Sequence, residues 1–202
     1  MNNLIIRRIV VLSLFCICAA AGEGANLIRN NGFEKPRVAD GGFLLFAQGS
    51  SFTNWFVIRA GAFGNVGIFS TDYSESGFTF PAQSGVQWLD LTGNTNTVCG
   101  VEQRVATTPG QEYRLRFFVG NIYDPTGSLG TTSTVNVLVN GSQVMSATNT
   151  GGIGSTTLNW RAFSVTFTAL NGMTTITFMN GDPSGDSCNG LDSVTLAPVA
   201  AD

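Results

Sequence analysis

The chain has 202 residues, with 10 Lys and Arg against 13 Asp and Glu, and it contains no histidine. The missing imidazole excludes Ser-His-Asp and Cys-His catalysis, zinc sites built on histidine and a histidine pH switch, which leaves carboxylate chemistry and, for metals, oxygen ligation of the calcium type. The acidic balance, with a single lysine at Lys35 and no basic cluster, argues against nucleic acid or an anionic membrane as partner.

The first element reads as a leader. Arg7 and Arg8 precede an apolar run from Ile9 to Ala19 and the small residues Ala19-Ala20-Ala21-Gly22, the layout of a secretory signal cleaved near Gly22. The run is too short for a membrane span, and no later stretch approaches spanning length. The expectation is an exported protein, extracellular or periplasmic, with one domain from residue 23 to residue 202. Losing Arg7 and Arg8 leaves eight cations against 13 acids, a net charge of −5. Cys16 and Cys18 fall inside the leader, where the large Phe15 and Ile17 ahead of them do not fit a lipidation signal. Cys99 and Cys188 remain, and in an oxidising compartment they read as one disulfide, with two free thiols as the alternative.

Beyond the leader the pattern is β throughout. Strands are predicted at Phe52 to Ile58, Asn65 to Ser70, Val86 to Thr92, Val101 to Ala106 and Glu112 to Gly120. Five more follow at Thr134 to Asn140, Gln143 to Ala147, Trp160 to Ala169, Thr174 to Asn180 and Leu191 to Ala197. Several alternate cleanly: Tyr113, Leu115, Phe117 and Val119 share one face, with Arg114 and Arg116 on the other. Asn140-Gly141 marks a tight hairpin, and Pro109-Gly110, Asn171-Gly172 and Asn189-Gly190 mark further turns. Two long loops are expected at Asp124 to Ser133 and Asn149 to Asn159. Short antiparallel strands at this spacing predict an all-β, two-sheet jelly-roll sandwich.

The ends of the mature chain carry matching acids. In the last strand Asp192, Val194 and Leu196 share one parity, which puts a carboxylate on the side of two apolar residues. If that side is the core, the carboxylate needs hydrogen bonds, an ion pair or a metal. Glu34 in the first segment is the partner for a site that clips the two ends together.

Six segments in order carry a family likeness: Asn26 to Glu34, Asn54-Trp55-Phe56-Val57, Ser84 to Gly93, Gln103 to Tyr113, Trp160 to Ala169 and Leu191 to Leu196. Together they resemble the secreted cell-wall family catalogued as domain of unknown function six-four-two, which is similar to galactose-binding-like jelly rolls and carbohydrate-binding modules. The resemblance implies a β-sandwich associated with cell-wall polysaccharide. It implies that Trp55 and Trp160 fill the core. It also implies a structural calcium held by the Gly32 carbonyl and the carboxylates of Glu34 and Asp192, although the position of a middle acidic ligand is taken here by Ser84. The alternative for both carboxylates is that they accept backbone N–H groups in turns. Many bacterial relatives end in a sorting helix, and this chain stops just past its last strand, so a released protein is expected.

The ligand site is sought elsewhere. Leu89 and Leu91 share one strand face, and Trp88 and Asp90 the other. A ring beside a carboxylate suits a sugar, by face stacking and hydroxyl hydrogen bonds, unless a loop or the core covers Trp88. Glu102, Arg104, Arg114 and Arg116 form a possible outward groove for polysaccharide hydroxyls or uronic carboxylates, against the alternative of a solvated surface. Tyr123, opening a loop, is a further ligand candidate. A hydrolase would need two carboxylates facing across a cleft, with Asp90 and Glu102 as the pair on offer. The resulting expectation is an exported polysaccharide-binding protein without catalytic activity. The alternatives are an adhesive surface or matrix protein and, more weakly, a glycoside hydrolase.

Overall fold

The computed structural model describes residues 24–59 and 63–200, so the predicted leader, with Cys16 and Cys18, lies outside the described residues. The first sheet contains β1 (Phe43–Ala47), β4 (Asn65–Ser70), β7 (Gln87–Asp90), β9 (Glu112–Asn121), β12 (Asn159–Thr168) and β14 (Gly190–Pro198), in the order β1-β4-β7-β14-β9-β12. The second contains β2 (Ser51–Phe52), β3 (Trp55–Arg59), β8 (Cys99–Ala106), β10 (Ser133–Val139), β11 (Ser142–Asn149) and β13 (Met173–Asn180), in the order β11-β10-β13-β8-β3-β2. A small hairpin, β5 (Ser74–Glu75) with β6 (Phe78–Thr79), stands apart from both. The named strands pair antiparallel, as the alternation and turn spacing predict. Among the described residues no helix is long and apolar enough to cross a membrane.

Period-2 alternation builds the core. Leu115, Phe117 and Val119 of β9 meet Val101 of β8, Val137 of β10 and Ile176 and Phe178 of β13 between the sheets, all with 0% exposure. Trp55 joins them, its ring 5.3 Å from Phe33 and 6.2 Å from Phe178. The Asn140-Gly141 hairpin forms as expected. Both residues have positive φ (50° and 81°), which the tight turn between β10 and β11 requires and which Asn and Gly tolerate best.

The first sheet departs from simple parity at β14. The register against β9 shifts between Asp192 and Thr195, and Ser193 adopts φ 52°. This bulge inserts one residue, so Leu191, Val194 and Leu196 face the core, whereas Asp192, opposite Phe118, faces away. The parity expectation for Asp192 is therefore wrong: the last strand does not run unbroken.

Cys99 and Cys188 are both buried free thiols, which corrects the expected disulfide in favour of its alternative. Cys99 packs in the inter-sheet core and Cys188 in a separate cluster on the far side of the first sheet.

Candidate active site

The outer face of the first sheet carries a second hydrophobic cluster. Phe69 of β4, Trp88 of β7 and Trp160 of β12 project from it, and loop residues Phe80, Ile122, Leu129, Leu158 and Cys188 cover them. Trp160 thus belongs to this outer cluster and not to the inter-sheet core. Space for it comes from two facing glycines, Gly120 and Gly190: a Cβ on either would fall 2.9 Å from the indole ring. The cover is tied down by the indoles themselves. Trp88 Nε1 donates to the Phe80 carbonyl at 3.0 Å and Trp160 Nε1 to the Pro81 carbonyl at 2.8 Å. Two backbone bonds, Thr79 N to Thr156 O and Leu158 N to Thr79 O, join the covering loops to one another.

Between sheet and cover lies a cavity of about 340 Å³, within the usual range for small-molecule sites. Phe43, Phe69, Tyr73, Phe80 and Trp88 line it. Four of these rings form a near-parallel ladder: Phe43 on Phe69 at 5.0 Å and 20°, Phe69 on Trp88 at 5.2 Å and 23°, Phe80 on Trp88 at 6.2 Å and 15°. Tyr73 abuts Phe69 edge-on at 4.9 Å.

Asp90 is the acid in this wall. It is 3% exposed. Its Oδ1 accepts from the backbone N–H of Thr92 and of Asn189, each at 3.0 Å. The Thr92 hydroxyl lies 2.8 Å from both carboxyl oxygens and 2.9 Å from the Ser187 carbonyl. That hydroxyl has one proton; when it donates to Ser187, it can accept a proton held by Asp90. Burial raises the Asp90 carboxyl to about 6, and the N–H donors of Thr92 and Asn189 hold it from rising further. At the cavity's edge, the Tyr73 hydroxyl donates to Glu75 Oε2 at 2.7 Å. Tyr73 is pushed up to about 12, first by burial and then by its bond to Glu75 and the charges of Glu75 and Asp90.

Trp88 and Asp90 thus share the predicted face and one site, but Trp88, at 1% exposure, is no open platform for a sugar. Arg104 lies elsewhere. Its strand β8 belongs to the second sheet, whereas Arg114 and Arg116 on β9 point from the outer face of the first, so these cations and Glu102 do not share one groove. For the same reason Glu102 does not face Asp90, and the hydrolase pair is absent. Tyr123 is half-buried in the loop after β9 and does not line the cavity. Sequence reading missed Phe43, Phe69, Tyr73, Glu75 and Phe80. The available signal was the density of rings at Phe69, Tyr73, Phe78 and Phe80 in a stretch otherwise rich in turn residues.

The two end carboxylates do converge. A Cβ on Gly32 would stand 3.6 Å from Asp192 Oδ1 and 4.0 Å from Glu34 Oε1. Asp192, 0% exposed, accepts from the N–H of Gln83 at 3.0 Å, Ser84 at 3.2 Å and Ser193 at 2.6 Å. Glu34 Oε1 accepts from Val86 N at 2.9 Å and Gln87 N at 3.2 Å. Burial raises Asp192 to about 7, the backbone donors oppose this, and the Glu34 charge adds to it. The one ion pair among the described residues joins Arg37 to Asp40 and includes neither carboxylate. Two carboxylates and carbonyls suit a hard cation such as calcium. Among the described residues no group of three or more acidic or cysteine side chains could hold a metal, so backbone or water oxygens would have to complete the shell.

A family model described as HpiC1-like: HpiC1 cyclase matches residues 25–196. Among solved structures the chain is similar to the Stig cyclase Fisc from Fischerella sp. TAU in complex with (3Z)-3-(1-methyl-2-pyrrolidinylidene)-3H-indole. The identity is 19%, the match covers 89% of this chain and 100% of that one, and the TM-score is 0.58. It is similar to a cyclase from Fischerella sp. TAU at 18% identity, with 87% and 96% of the two chains covered and a TM-score of 0.56. It is also similar to the TmCBM61 module in complex with beta-1,4-galactotriose, at 14% identity, with 87% and 100% covered and a TM-score of 0.45. At these identities the likenesses to the two Fischerella cyclases concern fold alone. No curated protein matches the chain. The family match overturns the expectation of a protein without catalytic activity, because the family is one of cyclases. It also replaces the cell-wall family that the sequence resembles; that resemblance holds only for the jelly-roll architecture.

Proposed function

The chain belongs to the HpiC1-like family, and on that premise we propose that it is a cyclase in which Asp90 is the general acid. The observation that carries the reading is a carboxyl raised to about 6 inside an aromatic cavity. The acid form gives its proton to a carbon–carbon double bond of the substrate. A second π-bond supplies the electron pair that closes the ring on the resulting cation. The Asp90 carboxylate then takes a proton from the ring-closed cation, so the product is an isomer of the substrate. Ring faces stabilise the passing cation. A positioned acid of matched pKa contributes about 10²–10⁴-fold.

Indoles carrying a side chain with two carbon–carbon double bonds are the probes of choice, because the similar Fisc structure holds an indole compound and the proposed step needs a π-bond to protonate and a second to close the ring. Incubated in D₂O, the protein should convert one of them to an isomer carrying one deuterium, and Asp90→Asn should abolish this. No conversion of any probe, or conversion undiminished by Asp90→Asn, would remove the assignment.

Calcium at Glu34 and Asp192 is the second part of the proposal. When bound there, the ion supplies charge neutralisation that joins the first segment to β14. A chelator should then lower the melting temperature and added calcium restore it; a melt indifferent to both would reject the site.

A polysaccharide reading survives only for the other side of the sandwich. There Phe56 is 42% exposed opposite Glu102, with Arg104 on the same face of β8. Selective binding on a glycan array, lost with Phe56→Ala, is the outcome this reading requires.

A further inference from the structure

We infer that the aromatic cavity selects a ligand bearing a positively charged nitrogen on a flat aromatic frame and turns away the same frame bearing a carboxylate. The inference rests on the reading of the cavity as the reaction site. Three features carry it. The lining includes two acids, Glu75 and Asp90, and neither Lys nor Arg, so every formal charge facing a bound molecule is negative. The stacked ladder ends in Phe43, a residue of the cavity wall that is 45% exposed and has Tyr73 at right angles to its ring at 5.8 Å. Glu75 stands at the exposed rim with Oε2 held by the Tyr73 hydroxyl at 2.7 Å, while its Oε1 takes no hydrogen bond from the described residues.

A flat ring therefore has a stacking partner, and a cationic nitrogen attached to it has both a carboxylate at the rim and a ring face. Cation–π contact and a partly exposed ion pair together correspond to roughly a tenfold gain in affinity. A carboxylate at the same place meets two like charges and no cationic side chain, which costs at least as much. Glu75 acts here on binding, which separates it from the proton transfer assigned to Asp90.

The test is calorimetric titration of the full chain at pH 7.5 with tryptamine, indole and indole-3-acetate. These share one ring system and differ in charge. Tryptamine should bind roughly tenfold more tightly than indole, and indole-3-acetate roughly tenfold more weakly or not at all. Glu75→Gln should bring tryptamine to within about threefold of indole and leave indole itself unchanged. Tyr73→Phe keeps the charge and should preserve the order. Equal binding of all three, or a tryptamine preference that Glu75→Gln leaves intact, overturns the inference while the cavity stands as an aromatic site. Binding of none of the three overturns both the inference and the cavity reading.

Discussion

The two outer faces of the sandwich are made from similar strands but end in different chemistry. On the first sheet, Phe69, Trp88 and Trp160 point outward and are roofed by loops that their own indole N–H groups hold in place. On the second, Phe56 and Met173 point outward at 42% and 43% exposure on the face that carries Glu102 and Arg104. Burial is what separates the two. Under the roof a carboxyl loses its hydration and Asp90 rises to about 6, in reach of acid–base work near neutral pH. On the open face Glu102 is only half-buried and stands opposite Phe56, with no carboxylate across from it. An aromatic residue on an outward strand position thus becomes part of an enclosed cavity only when the chain returns to cover it.

The largest effect should separate the two faces by activity. Asp90→Asn is expected to lower isomerisation of a working probe by about 10²–10⁴-fold, whereas Glu102→Gln should leave it within twofold. Rate measurements under saturating probe check this, and equal losses would erase the distinction. Stability comes next. Trp88→Ala removes a fully buried ring and should cost about 3–5 kcal/mol in denaturant unfolding, as if it lay in the main core. Phe56→Ala on the open face should cost under about 1 kcal/mol. A small cost for Trp88→Ala would show that the roofed cluster is not a true second core.

The acids sharpen the comparison through pH. Asp90, Asp192 and Asp182 are raised to about 6, 7 and 8 from an ordinary 3.8, in each case chiefly by burial. The folded chain therefore holds protons that the unfolded chain releases, and ionising these groups opposes folding. Calcium-free protein should lose stability as pH rises from about 4 to about 8. Asp192→Asn should flatten that slope, and calcium should raise the melting temperature more at pH 8 than at pH 5. Thermal melts across the range decide it; a slope of the opposite sign would mean that these carboxyls are ionised at little cost.

The smallest effect concerns the thiols. Cys99 and Cys188 are buried in different clusters, and burial pushes the Cys188 thiol well up, with the Asp90 and Asp182 charges adding to it. Both should resist alkylation in the native protein and react once unfolded, with no mass change on reduction. Rapid native labelling at Cys188 alone would show that the roof opens.

Much of the fold is readable in one dimension. Period-2 alternation in β9, β10 and β12 and the Asn140-Gly141 turn state their strands and hairpin locally, because side-chain direction in a strand depends only on parity. Edge strand β1 went unread because Phe43-Leu44-Leu45-Phe46 is apolar on both faces. One side packs toward the core through Phe46 and the other lines the cavity through Phe43 and Leu45, so no alternation appears. Asp192 misled for a different reason: parity holds only until a bulge, and Ser193 with its positive φ carries no sequence mark of one.

By itself, then, the sequence determined the all-β class, the placing of Trp88 and Asp90 on the strand face opposite Leu89 and Leu91, and the exclusion of imidazole chemistry. Only the tertiary structure decided that the outward face bearing Trp88 is covered. It also decided that Arg104 and Arg114 lie on opposite sides of the sandwich, and that Cys99 and Cys188 stay apart. The physical reason is range. Strand parity and turn chemistry act over a few residues, whereas burial, and with it the proton affinity of Asp90, depends on loops 71–82, 122–130 and 181–189 returning from far along the chain.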